Sequence, residues 1–315
     1  MGGVAVLLCL VFAAKADRFG ALRMYIALVA IAYVTLGAVY AAWSRLRTEQ
    51  RLVDVQEVAK TLEDVLFAPL PPVIGPVRLG ASYVSSSRAT RVGGDLYEAV
   101  ASPRGVRFVI ADVQGKGLGT VRCAAVVLAA FREAGPELDD LAEVGRRIEN
   151  ALDRRTDGQR FVTGILAQVD PAGRLVVFNH GHPAPLLVTT DGRVRYVESD
   201  EPVLPFGLAA LAGSGDQQDS VMQLTLHPGD RLFFYTDGLS EARDGEGRFY
   251  PVSERAGPLL SDGSPEEALR RVRVDVAAFT GAPPDDDSAL LLVEFTAGPT
   301  GEAVGPELRS ARSAS

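Results

Sequence analysis

The chain reads as an α+β protein with largely antiparallel sheets. Strand-like runs are grouped in blocks around a helical pair instead of alternating with helices one by one, which argues against a parallel, doubly wound sheet. Two of the gaps between strands, Asp170-Pro171-Ala172-Gly173 and Asp191-Gly192, are short hairpin-type turns that join neighbours in sequence. A last helix and a closing strand complete the pattern.

Taken from the start, residues Gly2 to Ala14 are apolar but short for a membrane span, and Lys15, Arg18 and Arg23 separate them from the next run. A cleaved signal peptide is disfavoured because no basic region precedes the apolar stretch. Either a short first span or the remnant of a longer segment fits. Met24 to Trp43 carry no charge and at about 1.5 Å per residue reach about 30 Å, the thickness of a hydrocarbon core. Tyr25, Tyr40 and Trp43 suit the interfaces, and Arg45, Arg47 and Arg51 place the C-terminal bulk of the chain in the cytoplasm by the positive-inside rule. Residues 1–44 therefore read as a membrane anchor.

Residues 45–76 read as a linker helix and a Pro-rich hinge. Leu52, Val55, Ala59, Leu62 and Leu66 give the helix one apolar face over about two heptads, and Pro69, Pro71 and Pro72 stop it. That face fits pairing with a second copy in a homodimer, or packing on its own domain.

A folded domain is expected over 77–296. Val77 to Val84, Leu96 to Val100 and Gly105 to Ala111 read as strands, and Gly117 to Ala134 and Leu138 to Leu152 as helices with apolar residues at helical spacing. The second block of strands is Val162 to Asp170, Leu175 to Asn179, Pro185 to Thr189, Val194 to Glu198, Val221 to Leu226 and Arg231 to Tyr235. The helix Pro265 to Phe279 and the strand Ala289 to Phe295 close it. The Gly/Pro/Ser-rich tail 297–315 is expected to be disordered.

Composition narrows the function. The 315 residues carry a net charge of -8 and a pI near 5.1, which leaves no basic surface excess for duplex nucleic acid. Two cysteines and three histidines supply neither a disulfide framework nor a zinc motif. Aspartates do recur at the starts or ends of apolar runs, three of the four times with a glycine within three residues: Gly93-Gly94-Asp95, Asp112-Val113-Gln114-Gly115, Asp237-Gly238 and Asp285-Asp286-Asp287. Each alone is a common turn. Together they describe an oxygen-only site for Mg²⁺ or Mn²⁺ assembled from several strands, as in two-metal hydrolytic enzymes.

Val92-Gly93-Gly94-Asp95-Leu96-Tyr97, Asp112-Val113-Gln114-Gly115-Lys116-Gly117, Gly181-His182-Pro183-Ala184-Pro185, Tyr235-Thr236-Asp237-Gly238-Leu239-Ser240-Glu241-Ala242 and Asp286-Asp287-Ser288-Ala289-Leu290-Leu291, in this order, resemble the metal-dependent protein phosphatases of the 2C type (PPM family), in the SpoIIE-like bacterial branch. The likeness covers roughly Val77 to Phe295. It implies an α-β-β-α sandwich holding two Mn²⁺ or Mg²⁺ ions, and hydrolysis of phosphoserine or phosphothreonine on a partner protein by metal-activated water. In this branch the partner is often an anti-sigma-factor antagonist. Carried over by position, Asp112 bridges the metals with the Val113 carbonyl beside it, Asp95 serves one metal, and Asp237 and Asp286 complete the other. The triple aspartate leaves the register open between Asp286 and Asp287. Arg91 would hold the phosphate by a bidentate contact.

Two positions depart from the family pattern. Lys116 and Gln114 stand where histidines are found in relatives, which leaves the leaving-group acid unassigned. His182, between glycine and proline, reads as fixing a loop. Two rival readings compete with this one. Gly93-Gly94-Asp95 resembles part of the diguanylate cyclase signature but leaves the other aspartates unexplained, and a non-catalytic membrane module with the same fold would not need the full aspartate set.

Overall fold

The computed structural model describes residues 20, 23–45, 69–84, 93–115, 117–155, 160–199, 203–208, 221–281 and 287–296. Expectations for Gly2 to Ala14, most of the linker helix, Arg91, Lys116, Asp285, Asp286 and the tail 297–315 lie outside the described residues. Near the N-terminus, helix α1 (Arg23–Arg45) has a mean hydropathy of 2.0 in its most apolar window and is long and apolar enough to cross a membrane. It forms a unit separate from the remainder.

The remainder holds two sheets, both antiparallel throughout. The first has the order β1 (Val73–Ile74), β2 (Val77–Val84), β11 (Ser288–Phe295), β10 (Arg231–Tyr235), β7 (Leu186–Val188), β8 (Val194–Tyr196). The second runs β3 (Leu96–Ser102), β4 (Gly105–Val113), β5 (Val162–Val169), β6 (Arg174–His180), β9 (Val221–Thr225). Helices α2 (Leu118–Ala134) and α3 (Leu141–Arg155) cover one sheet; α5 (Val252–Leu259) and α6 (Pro265–Thr280) cover the other. A four-residue helix, α4 (Asp237–Ser240), comes after β10. The expected α-β-β-α sandwich is the observed one.

Period-two alternation sorts the side chains into three apolar layers. Leu232 and Phe234 of β10, Leu291 and Val293 of β11, and Phe108 and Ile110 of β4 meet between the sheets. Their strand neighbours Phe233, Tyr235, Leu290 and Leu292 face α5 and α6, while Val109, Ala111 and Val113 face α2 and α3. The strands are apolar on both faces because each sheet is covered twice.

One buried arginine per sheet staples its helix pair. Arg107, fully buried on β4, donates to Gln168 Oε1 of the paired residue on β5 and to the carbonyls of Gly135, Leu138 and Asp139 in the α2–α3 turn. Arg231 on β10 donates to Glu294 of the paired residue on β11 and to the carbonyls of Leu260, Asp262 and Gly263 in the α5–α6 turn. A guanidinium suits this role because its planar fork serves several acceptors at once.

The differences from expectation have local causes. Helix α3 begins at Leu141, not Leu138, because the Asp140 carboxylate accepts from the Ala142 amide and caps it there. Helix α5 is hidden in the sequence because Gly257 and Pro258 read as breakers. Pro258 falls in its last turn, and a Cβ on Gly257 would lie 2.8 Å from Val194 Cγ2, so glycine lets α5 sit close on β8. Strand β4 continues to Val113, which puts Asp112 inside the pairing, opposite Thr163, rather than just past the strand.

Replacing Arg107 with alanine strands three carbonyls and leaves a cavity. We expect Arg107→Ala to lower the unfolding free energy by at least about 3 kcal/mol in urea titration. Arg107→Lys should recover only part of the loss, since one ammonium cannot span the same acceptors.

Candidate metal centre

Antiparallel pairing brings the aspartates to one end of the sandwich. Asp95 immediately precedes β3, whose first residue pairs with Ala111, one residue short of Asp112 on β4. Asp237 opens α4 two residues after β10, whose last residue pairs with Leu290 of β11, and Asp287 immediately precedes β11. Each sheet thus contributes aspartates from paired strands at the same edge.

Asp95, Asp112 and Asp237 converge: one carboxylate oxygen from each lies within 4.8 Å of the others. Two oxygens on a common Mg²⁺ at about 2.1 Å stand up to about 4.2 Å apart, so the spacing fits a shared cation with slight closure. No histidine or cysteine belongs to the cluster, which suits a hard, oxygen-preferring ion.

Asp95 is 3% exposed and is held from the other sheet. Its Oδ2 accepts from the Thr236 hydroxyl and, at 3.1 Å, from the Ala289 amide. Burial, and after it the charge of Asp112, pushes its carboxyl well above the ordinary carboxylate range; the Thr236 hydrogen bond opposes this and Asp237 adds to it. A cation among the three would reverse that balance. Asp112 and Asp237 instead line an open cleft of about 530 Å³ together with Gln114, Phe161, Thr163 and His182.

Neighbouring glycines sit in close contact with the site. A Cβ on Gly93 would stand 2.2 Å from Tyr83 Oη and 2.4 Å from Asp287 Oδ2; one on Gly94 would stand 2.5 Å from the Val113 carbonyl oxygen. A Cβ on Gly238 would fall 1.8 Å from the Asp287 carbonyl oxygen. Gly94 and Gly238 let backbone approach backbone, Gly93 makes room for side-chain ends, and Gly115 serves a turn through its positive φ.

Of the residues expected at the site, the structure brings together Asp95, Asp112 and Asp237. Val113 buries its side chain under α2 and α3 and turns its carbonyl toward Gly94. Asp287 is buried against Gly93 and Gly238, outside the group of three. Asp286 and Arg91 lie outside the described residues.

Two residues that the sequence does not assign to the site support it. Arg160 donates to the Gln114 carbonyl at 3.1 Å and to Thr120 Oγ1 at 3.3 Å, and packs on Gly115, whose φ of 101° no bulkier residue holds without strain. It fixes the loop between Asp112 and α2. His182, 5% exposed, bonds through Nε2 to the Tyr235 carbonyl (3.1 Å) and through Nδ1 to Thr163 Oγ1 (3.2 Å). Its backbone is gripped by Asn179 through amide and carbonyl. The position of His182 before a proline gives only the hint that it fixes a loop.

Known proteins resemble this chain in sequence and fold. Residues 102–296 match the family described as Stage II sporulation protein E (SpoIIE). Over 206 residues the chain is 22% identical to the phosphoserine phosphatase RsbU of Bacillus subtilis, covering 63% of this chain and 57% of RsbU. Its fold matches the RsbU and RsbW domains of Rv1364c from Mycobacterium tuberculosis, with a TM-score of 0.61, 26% identity, and 72% and 62% of the two chains covered. It also matches the SiaA-PP2C domain of Pseudomonas aeruginosa, with a TM-score of 0.58, 17% identity, and 80% and 98% covered. The chain therefore spans less than two thirds of RsbU and of the Mycobacterium chain.

Burial depresses the His182 imidazolium to about pH 4, below its ordinary value of 6.5. The unfolded state then binds the proton first as pH falls, so the stability tied to the neutral ring is complete above about pH 6.5 and is lost as pH drops through about 4. That window is worth about 3 kcal/mol. Denaturant titrations between pH 7 and 4.5 should show a shallower loss of stability for His182→Gln, which has no proton to gain, than for the unsubstituted chain.

Proposed function

Because the chain belongs to the SpoIIE family of PP2C-type (PPM) phosphatases, matched over more than half its length, we propose that it is a membrane-tethered, metal-dependent phosphoserine/phosphothreonine protein phosphatase. The observation that carries this reading is the convergence of Asp95, Asp112 and Asp237 within 4.8 Å, with Asp112 and Asp237 on the wall of an open cleft.

These aspartates would hold two Mn²⁺ or Mg²⁺ ions, with Asp286 or Asp287 and the Val113 carbonyl as further ligands. Such ions acidify a water and neutralise charge on a phosphoryl group. The work of the chain is to keep the carboxylates in place before any ion arrives: β4 and β10 supply rigid ends, Thr236 and Ala289 orient Asp95, and Arg160 fixes the loop after Asp112. Since the aspartates act as ligands, none serves as a nucleophile, and the displacement proceeds without a covalent intermediate.

The openness of the cleft suits a phosphorylated side chain on a protein surface better than a small molecule, which a closed pocket would enclose. Arg91 is the proposed phosphate contact. Neither Gln114 nor His182 suits the leaving-group acid. An amide does not titrate, and both ring nitrogens of His182 are engaged while its ring stays neutral at physiological pH. The departing serine or threonine oxygen takes its proton from water in the cleft.

Helix α1 supports tethering: its apolar side chains, such as Tyr33 and Leu36, stand exposed, and arginines mark both ends. With Arg45, Arg47 and Arg51 on the inner side, the catalytic domain faces the cytoplasm. The substrate class is taken from the description of RsbU as a phosphoserine phosphatase, and a phosphorylated anti-sigma-factor antagonist is the candidate. Pairing of two copies through the linker face at Leu52, Val55, Ala59, Leu62 and Leu66 belongs to the same proposal.

Purified chain should release phosphate from a phosphoserine protein with Mn²⁺ or Mg²⁺ and stop when EDTA is added. Asp112→Asn and Asp237→Asn should each lower kcat by at least about 100-fold, the scale of losing a principal electrostatic stabiliser. Turnover that survives complete metal removal would overturn the assignment.

A further inference from the structure

The three aspartates belong to two sheets that touch mainly through apolar side chains, and such contacts set a spacing of about 10 Å without fixing its last few tenths of an ångström. Directional bonds across the gap must supply that precision. At the site edge, two sets of them grip consecutive residues of the same segment. The Thr236 hydroxyl reaches Asp95. One residue earlier, the Tyr235 carbonyl meets His182 Nε2, whose other nitrogen meets Thr163 Oγ1.

Thr163 is the residue paired with Asp112, and Tyr235 stands two residues before Asp237. His182 is therefore the middle of a chain of bonds from the strand neighbour of one metal-site aspartate to the backbone leading to another. A carbonyl can only accept, so Nε2 carries the proton and Nδ1 accepts from the Thr163 hydroxyl. Asn179 holds the backbone of His182 at both its amide and its carbonyl, at 2.8 and 2.9 Å, so the ring is anchored at its base as well. The ring is almost fully buried, which protects these bonds from competition by water.

We propose that His182 is a positioning residue that sets the separation of Asp112 and Asp237 and thereby the affinity of the site for its divalent ions. Its two ring nitrogens are taken by Thr163 and Tyr235, so it ligates no ion and acts through the bonds it makes. It acts as outer partners of metal ligands do, whose loss costs 10- to 100-fold in metal affinity or activity. The inference rests on the metal-dependent reading of the aspartate cluster.

The test is Mn²⁺ binding to the full chain by isothermal titration, in the absence of any substrate, and then steady-state kinetics. For His182→Ala the Mn²⁺ dissociation constant should rise by about 10-fold or more, and kcat at subsaturating Mn²⁺ should fall while KM for the phosphoprotein stays near its original value. His182→Gln keeps a donor toward Tyr235 and should restore most of the affinity. A residue with a merely structural role would lower the melting temperature and leave Mn²⁺ affinity per folded molecule unchanged; that result overturns the proposal. Should His182→Ala fail to fold, Thr163→Val removes the other end of the same chain of bonds: weakened Mn²⁺ binding supports the proposal and unaltered binding refutes it. If the unsubstituted chain binds no Mn²⁺, the metal-dependent reading fails instead, so the two failures are distinguishable.

Discussion

Three carboxylates held within 4.8 Å, one of them buried, repel one another and resist desolvation, and the rest of the domain is arranged to bear that cost. With all three ionised, at such a spacing and an effective dielectric near 20, each pair would cost on the order of 3 kcal/mol, and burial together with the charge of Asp112 pushes Asp95 toward its protonated form. A flexible loop would splay apart. Here Asp112 lies on β4 and Asp237 follows β10, strands with a ladder on both sides, while Asp95, just before the edge strand β3, is held by donors from the opposite sheet. The same repulsion that strains the site makes it attractive to a divalent cation.

The layered architecture answers this need for rigidity. Each sheet is covered on both faces, so β4 and β10 cannot shift without disturbing two apolar layers. Arg107 and Arg231 occupy equivalent places in the two sheets. Each bonds its cross-strand neighbour and caps the turn between two covering helices. Glycines then allow the last approach at the edge, where Gly93, Gly94 and Gly238 sit so close to other backbone or side-chain atoms that any Cβ would collide.

Much of this is legible in the sequence, and the reasons are physical. Apolar runs such as Phe233-Phe234-Tyr235 show buried strands directly, and an aspartate with glycine at the end of one marks a strand edge where backbone comes close. Asp95, Asp112 and Asp237 can be read as one site because each is tied to such a run. Helix α5 cannot be read, since Gly257 is present for its contact with Val194, and Pro258, which removes a backbone donor inside the helix, interrupts the helical pattern. The roles of Arg160 and Thr163 are also hidden: their partners lie 40 or more and 19 residues away, and no local pattern encodes such bonds.

The central claim is that Asp95, Asp112 and Asp237 form a divalent-cation site, and locating the ion tests it most directly. Crystals of the protein grown with Mn²⁺ should give anomalous difference density among these three carboxylates, with Asp95 still bonded to Thr236 and Ala289. Density that appears only elsewhere, or a site that stays empty at saturating Mn²⁺ while the carboxylates keep their spacing, would contradict the account.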